Sequence, residues 1–285
     1  MDSENVNILS PEEQALLDST IEESFSENTN TPVEIVNNNI PENSNTLLLS
    51  ETTSRFSSAA WFDSILSSEI VVAGLGGIGS NLCYLLSRLN PGYMIIYDSD
   101  QIEPANLSGQ LYRDIDVDQF KADATYNIMR SFSRYYRVTA YDENFDSNSE
   151  TRRVMMCGFD NMAARKVFFN RWYSRVADTL FSERKNLLFI DGRLAAEEFQ
   201  VFCIRGDCQY LIDKYYKEYL FSDEEAEETP CSYKQTSFCA SMIASIMVNL
   251  FVNFHANKCD PLIERPLPFY TYYDATTMTF KTSDV

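Results

Sequence analysis

Histidine is almost missing from this chain: its 285 residues contain one, His255. A Ser-His-Asp or Cys-His mechanism therefore has almost nothing to stand on. Basic residues are missing from positions 1–54, which hold eleven Asp and Glu and no Lys or Arg. The net charge of −19 thus divides into −11 there and −8 over the other 231 residues. Nucleic acid usually needs a basic face, so it is not an expected partner. A small anion is still allowed, because local cations and backbone N–H groups can hold one. No CxxC occurs among the seven cysteines, and their odd number and irregular spacing give no disulfide framework. This argues against structural zinc and for reduced thiols in a cytoplasm. No charged segment followed by an apolar one opens the chain, so no secretory signal is expected. The longest nearly apolar run, Met242 to Phe254, has thirteen residues. That is too short for a bilayer and reads as a buried helix, so no membrane is expected.

Hydrophobic residues at 45% and aromatics at 13% suffice for one large α/β domain. Residues 1–54, rich in Asn, Ser, Thr and Glu, read as an acidic, disordered tail. Within it "SPEEQALLDSTIEESF" carries a weak helical pattern, with Ser10 as N-cap and Pro11 behind it. From Glu69 onward strands and helices alternate. "EIVVAG", "YMIIYDSD", "YRVTAY", "RRVMMCGFD" and "NLLFIDG" read as strands. "GIGSNLCYLLSRL", "DVDQFKADATYNIMRSF" and "NMAARKVFFNRWYSRVA" read as helices. The expectation is a Rossmann-like, doubly wound, mostly parallel sheet with helices on both faces. "EFQVFCI" adds a strand, "KQTSFCASMIASIMVNLFVNF" a long buried helix, and "PFYTYYDATTMTFKTS" two closing antiparallel strands. Residues 222–235, with "SDEEAEETP" and Cys231, read as a mobile acidic loop.

The glycine turn Ala73 to Gly79 sits between the first strand and the first helix of this series. Gly74 suits a tight turn, Gly76 and Gly77 let phosphate oxygens approach the backbone, and Gly79 lets helix and strand pack closely. About 20 residues on, Asp98 ends the second strand, where an acid accepts ribose hydroxyls. By itself this suits NAD, FAD, S-adenosylmethionine or ATP.

Residues downstream of Asp98 narrow the choice. Asp98 and Asp100, Asn106-Leu107-Ser108-Gly109-Gln110, Lys121, and Asp160-Asn161 with Arg165 occur in one order. With the glycine turn, they resemble the ThiF/MoeB/ubiquitin-activating-enzyme superfamily. "RFSSAAWF" before the first strand and "YYDATTMTF" at the end are similar to that family's flanking segments. The resemblance covers residues 55–285 and looks closest to stand-alone ThiF-type proteins of bacteria and their phages. It implies an adenylation domain that uses ATP and Mg²⁺ to activate the C-terminal carboxylate of a ubiquitin-like or sulfur-carrier-like protein, or of a peptide. It also implies a homodimer, with Arg55 acting on the neighbouring subunit's site.

Residue by residue, the chemistry agrees. A carboxylate is already ionised, so adenylation needs alignment and charge cancellation rather than a general base. Lys121 serves as a point charge on the phosphates, and Arg55 neutralises charge between the α- and β-phosphates. Asp160 serves as the Mg²⁺ ligand. Gly74, Gly76, Gly77, Gly79, Asp98, Asp100, Asn106, Gln110 and Asn161 complete the nucleotide-binding set. Asn161 and Arg165 also brace their loop and helix, with an exposed helix face as the alternative for Arg165. Gly109 stands where the family often has a phosphate-contacting Arg; Arg113 is placed to reach back in its stead. Cys231, in "TPCSYKQ", resembles the family's thioester cysteine, and Lys234 beside it favours thiolate. Cys203, Cys208 and Cys239 read as structural, and His255 as a helix-terminal imidazole. Arg193 is a candidate partner for a carboxylate on the substrate tail, or a surface cation. Two other readings stay open: a nucleotide-binding scaffold whose site has decayed at Gly109, and an NAD-dependent oxidoreductase.

Overall fold

A computed structural model describes residues 51–221, 235–260, 262 and 264–285. The helical pattern near Ser10, most of the acidic tail, and Cys231 with the rest of 222–234 lie outside the described residues.

Among the described residues the strands are β1 (Glu69–Ala73), β2 (Tyr93–Tyr97), β3 (Val138–Tyr141), β4 (Val154–Cys157), β5 (Leu188–Ala195), β6 (Glu198–Arg205), β7 (Tyr270–Asp274) and β8 (Thr279–Ser283). They form one sheet in the order β3-β2-β1-β4-β5-β6-β7-β8. The first five run parallel, and β6, β7 and β8 continue antiparallel. The helices are α1 (Phe62–Leu66), α2 (Gly77–Leu89), α3 (Lys121–Ser133), α4 (Met162–Asp178), α5 (Gln209–Glu218) and α6 (Ser237–Cys259). This is the expected doubly wound sheet with an antiparallel end. The sequence pattern singles out nothing at α5, which buries only Ile212 and Tyr215. α3 starts later than expected, because Asp118 turns the chain at φ 69° and Phe120 bridges to Gln101.

Alternation along the strands makes two cores. Ile70 and Val72 of β1 join Leu82 and Leu86 of α2 and Met247 of α6 on one face. Val71 and Ala73 join Phe168, Trp172 and Tyr215 of α4 and α5 on the other. β1 pairs with β2 on one side and β4 on the other, so the strand order reverses between them. The crevice outside the carboxyl ends of β1 and β4 is where such sheets bind ligands.

α6 exceeds the thirteen-residue apolar run. Its 23 residues are long and apolar enough by composition to cross a membrane, and half of its most apolar window is buried inside the fold. His255 lies near its end. The imidazole packs against Phe251 and Phe254, and Nδ1 bonds the Ser64 hydroxyl at 2.7 Å. Burial, then the nearby Lys258 ammonium, pushes its pKa down to about 3. The unfolded imidazole titrates near 6.5, so the native state loses stability as pH falls from that value toward 3. Between pH 7 and 4.5 the loss from this group is expected to be about 2–3 kcal/mol. Urea unfolding of His255→Phe should show a correspondingly shallower acid slope; an unchanged slope would contradict the assignment.

Candidate functional site

The turn after β1 is built as its glycines require. Gly74 has φ +79°, and a Cβ there would stand 3.1–3.2 Å from Phe159 and the Gly158 backbone. A Cβ on Gly79 would stand 1.9 Å from the Gly74 carbonyl oxygen, so α2 can follow the turn this closely only with glycine. Gly76 is the N-cap of α2. Asp98 ties the turn to the end of β2: Oδ2 accepts the Leu75 N–H at 2.6 Å, and Oδ1 the Asp100 N–H at 2.9 Å. Burial raises the Asp98 carboxyl, against the opposing pull of Lys121 and these two N–H groups.

Lys121 opens α3 with its side chain buried, and Nζ donates to Asp100 Oδ2 at 2.7 Å. The expected point charge, Lys121, and Asp100 are therefore one ion pair. Asn106 is spent partly on its own turn, where Oδ1 accepts the Glu103 N–H at 2.9 Å. Gln110 Nε2 lies 3.8 Å from where a Gly76 Cβ would stand. Its buried Oε1 has no partner among the described residues, an acceptor suited to a nucleotide hydroxyl. Arg113 does not reach back toward Gly109. Its guanidinium is held by Asp116 at 2.7 and 3.0 Å, on its own turn.

Across the crevice, the loop after β4 carries Asp160 and Asn161. Asn161 caps α4 by accepting the Ala164 N–H at 2.8 Å, and its Nδ2 donates to Asp160 Oδ1 at 3.2 Å. Asp160 is exposed. A lone carboxylate of this kind fits Mg²⁺, which keeps several waters and takes its other ligands from phosphates. No cluster of three or more His, Cys, Asp or Glu able to hold a metal occurs among the described residues.

Arg165 is buried beneath this loop rather than on an exposed face. Nε donates to Asp191 Oδ1 at 2.7 Å and Nη2 to the Phe159 carbonyl at 2.5 Å. Arg193 is also committed, so it is not free for a substrate tail. Nε donates to Asp191 Oδ2 at 2.7 Å, Nη2 to the Tyr219 carbonyl at 2.9 Å, and the guanidinium stacks on Phe202. The Tyr215 hydroxyl donates to Asp191 Oδ2 at 2.7 Å. Burial alone would raise the Asp191 carboxyl, yet the two guanidiniums hold it below the usual carboxylate range.

Arg55 is not brought to this crevice within one chain. Ser64, in α1, bonds His255 near the end of α6, whereas Ser241, near its start, bonds Asn81 close to the glycine turn. These contacts are separated by fourteen residues of α6, roughly 20 Å of helix. Phe56 packs on Trp61 and Phe62 and keeps Arg55 with the distant group. Burial pushes the thiols of Cys83, Cys157, Cys203 and Cys239 up, away from thiolate. Cys203 and Cys239 are buried.

The crevice thus joins a glycine turn, a strand-end acid, a buried Lys and an exposed Asp in one place. A model of the ThiF family matches residues 50–285. The chain belongs to the ThiF family. Over 83 residues it is 28% identical to ubiquitin-like modifier-activating enzyme 5 of Oryza sativa subsp. japonica, covering 29% of this chain and 20% of that protein. Over 109 residues it is 26% identical to the sulfur carrier protein ThiS adenylyltransferase of Escherichia coli (strain K12), covering 36% and 43%. The chain therefore spans less than half the length of these relatives. E. coli MccB with MccA-N7isoASN shares its fold at TM-score 0.60 and 17% identity, over 86% of this chain and 79% of that one. PaaA does so at TM-score 0.59 and 13% identity, over 96% and 82%. MccB has also been crystallised with ATP.

Proposed function

We propose that this ThiF-family protein is an ATP- and Mg²⁺-dependent adenylyltransferase. It activates the C-terminal carboxylate of a ubiquitin-like or sulfur-carrier-like protein, or of a peptide. The observation that carries the reading is the switch-point crevice, where Asp98, the Lys121–Asp100 pair and Asp160 surround the glycine turn. The names of the matched relatives, modifier-activating enzyme and adenylyltransferase, support it.

ATP supplies an electrophilic α-phosphorus and pyrophosphate as leaving group. A carboxylate oxygen bonds that phosphorus, the bond to the bridging oxygen breaks, and pyrophosphate takes the electron pair; no proton moves. Asp98 and Gln110 hold and orient the nucleoside, and the turn and the N-terminus of α2 meet the phosphates. Lys121 offsets their negative charge, exchanging part of its pairing with exposed Asp100 for a phosphate oxygen. Asp160 would hold Mg²⁺, with Asn161 orienting the carboxylate.

The protein acts as a homodimer in this proposal. α6 carries no charged residue from Ser237 to Asn257, yet Phe238 and Met242 are exposed on it. With Phe199, Ile246, Tyr273 and Phe280, Met242 lines an apolar groove of about 340 Å³. Arg55 then serves the partner's crevice. In a further step, in a reducing cytoplasm, the Cys231 thiol loses its proton and bonds the acyl carbon, the acyl–phosphate C–O bond breaks and AMP leaves with the electron pair, giving a thioester. The test incubates the chain with Mg-ATP and peptides ending in ubiquitin-like or sulfur-carrier-like tails. Pyrophosphate release with a peptide mass gain of one AMP supports the reading, and a C-terminally amidated peptide should give neither. Mg-ATP binding without turnover on any free carboxylate would favour a scaffold.

A further inference from the structure

Gly77 and Gly109 face each other across the mouth of the turn, the Gly109 carbonyl oxygen lying 3.2 Å from where a Gly77 Cβ would stand. The side chain between them is Gln235. Its Oε1 lies 2.1 Å from the Gly77 Cβ position, and its Cγ and Nε2 lie 2.8 and 3.0 Å from the Gly109 Cβ position. The amide therefore fills space that any other residue at 77 or 109 would occupy. Its backbone is anchored: Gln235 forms a parallel bridge to Ala196, and the Thr236 hydroxyl donates to the Ala196 carbonyl at 3.4 Å. α6 starts immediately afterwards, at Ser237.

We propose that Gln235 is a ligand of the nucleotide's polyphosphate. Its amide N–H supplies the donor that a cation at position 109 would otherwise give, and Gly109 is glycine to make room for it. Gly109 is then half of a rebuilt contact rather than the mark of a decayed site. The inference rests on the adenylyltransferase reading. An amide is a neutral donor with a rotatable head, so it can turn Nε2 toward a phosphate oxygen without moving the backbone. Hydrogen bonds to charged groups are among the stronger ones, so its loss should be measurable.

The test uses the full chain and calorimetric titration with Mg-ATP and with adenosine. Gln235→Ala should weaken Mg-ATP roughly tenfold or more and leave adenosine within about twofold. Gln235→Glu keeps the shape but presents a carboxylate to the phosphates, so it should weaken Mg-ATP further, again sparing adenosine. Gly109→Arg alone should collide with Gln235 and weaken Mg-ATP, while Gly109→Arg combined with Gln235→Ala should recover most of the affinity. Unchanged or tighter Mg-ATP binding by Gln235→Ala would overturn the assignment, the latter meaning that the side chain obstructs the site. Equal losses for adenosine and Mg-ATP would reduce Gln235 to a structural role. A native chain that ignores Mg-ATP but keeps its fold would instead remove the reading beneath the inference, and the inference with it.

Discussion

Asp191→Asn is expected to cost about 3–5 kcal/mol of folding stability. The carboxylate is fully buried and bonds Arg165, Arg193 and the Tyr215 hydroxyl, and the Cys157 thiol lies 3.4 Å away. Without it, two guanidiniums would remain in an interior with no compensating anion. Thermal unfolding should show a fall of roughly 6–20 °C for a domain of this size. The contrast that isolates the cause is the triple variant Asp191→Leu/Arg165→Met/Arg193→Met, which removes both cations and should lose much less. Because the folded carboxyl is held below its unfolded value, its stabilisation is present above the ordinary carboxylate range. That stabilisation is lost only as pH falls through the lower folded value. A single variant as stable as the native protein would refute this account of the network.

Asp160→Ala should do the reverse: leave the fold alone and remove the chemistry. The side chain is exposed, and among the described residues it accepts a 3.2 Å hydrogen bond from Asn161. Stability should change by no more than about 0.5 kcal/mol. AMP transfer to a competent peptide should fall on the order of 10²- to 10³-fold, the scale of losing a key electrostatic group. Asp160→Asn, which keeps the neighbouring hydrogen bond, should be nearly as impaired. A variant that transfers AMP at the native rate would exclude Asp160 from the metal's shell.

The fold was legible where the signal is local. The run "EIVVA", the glycines behind it and the amphipathic stretch "GIGSNLCYLLSRL" determine β1, the turn and α2 through nearest-neighbour sterics and one buried face. α5 was not legible: it is short, mixes Tyr and Lys, and buries one narrow strip. In the site, the positions of Asp98 and Asp160 follow from strand ends and that of Lys121 from a helix start, which periodicity marks. Their partnerships do not. Arg193 read as a partner for a substrate-tail carboxylate or as a surface cation, because Phe202, Tyr215 and Tyr219 reach it through the antiparallel turn to β6 and through α5. Arg113 was committed by Asp116, only three residues away, a pairing that composition does not single out. Gln235 gave no sequence signal at all, since its place depends on a bridge to Ala196, 39 residues earlier. Ala196 itself takes φ +57°, which no residue pattern foretold.

Thermal unfolding of the native chain with Mg-ATP, with ATP plus EDTA, and with NAD tests the central claim most directly. A ligand at 100 times its dissociation constant stabilises the folded state by about 2.7 kcal/mol when it binds that state alone. An upward shift with Mg-ATP, reduced by EDTA and absent with NAD, is the predicted result. A shift with NAD and none with Mg-ATP would contradict the adenylyltransferase account.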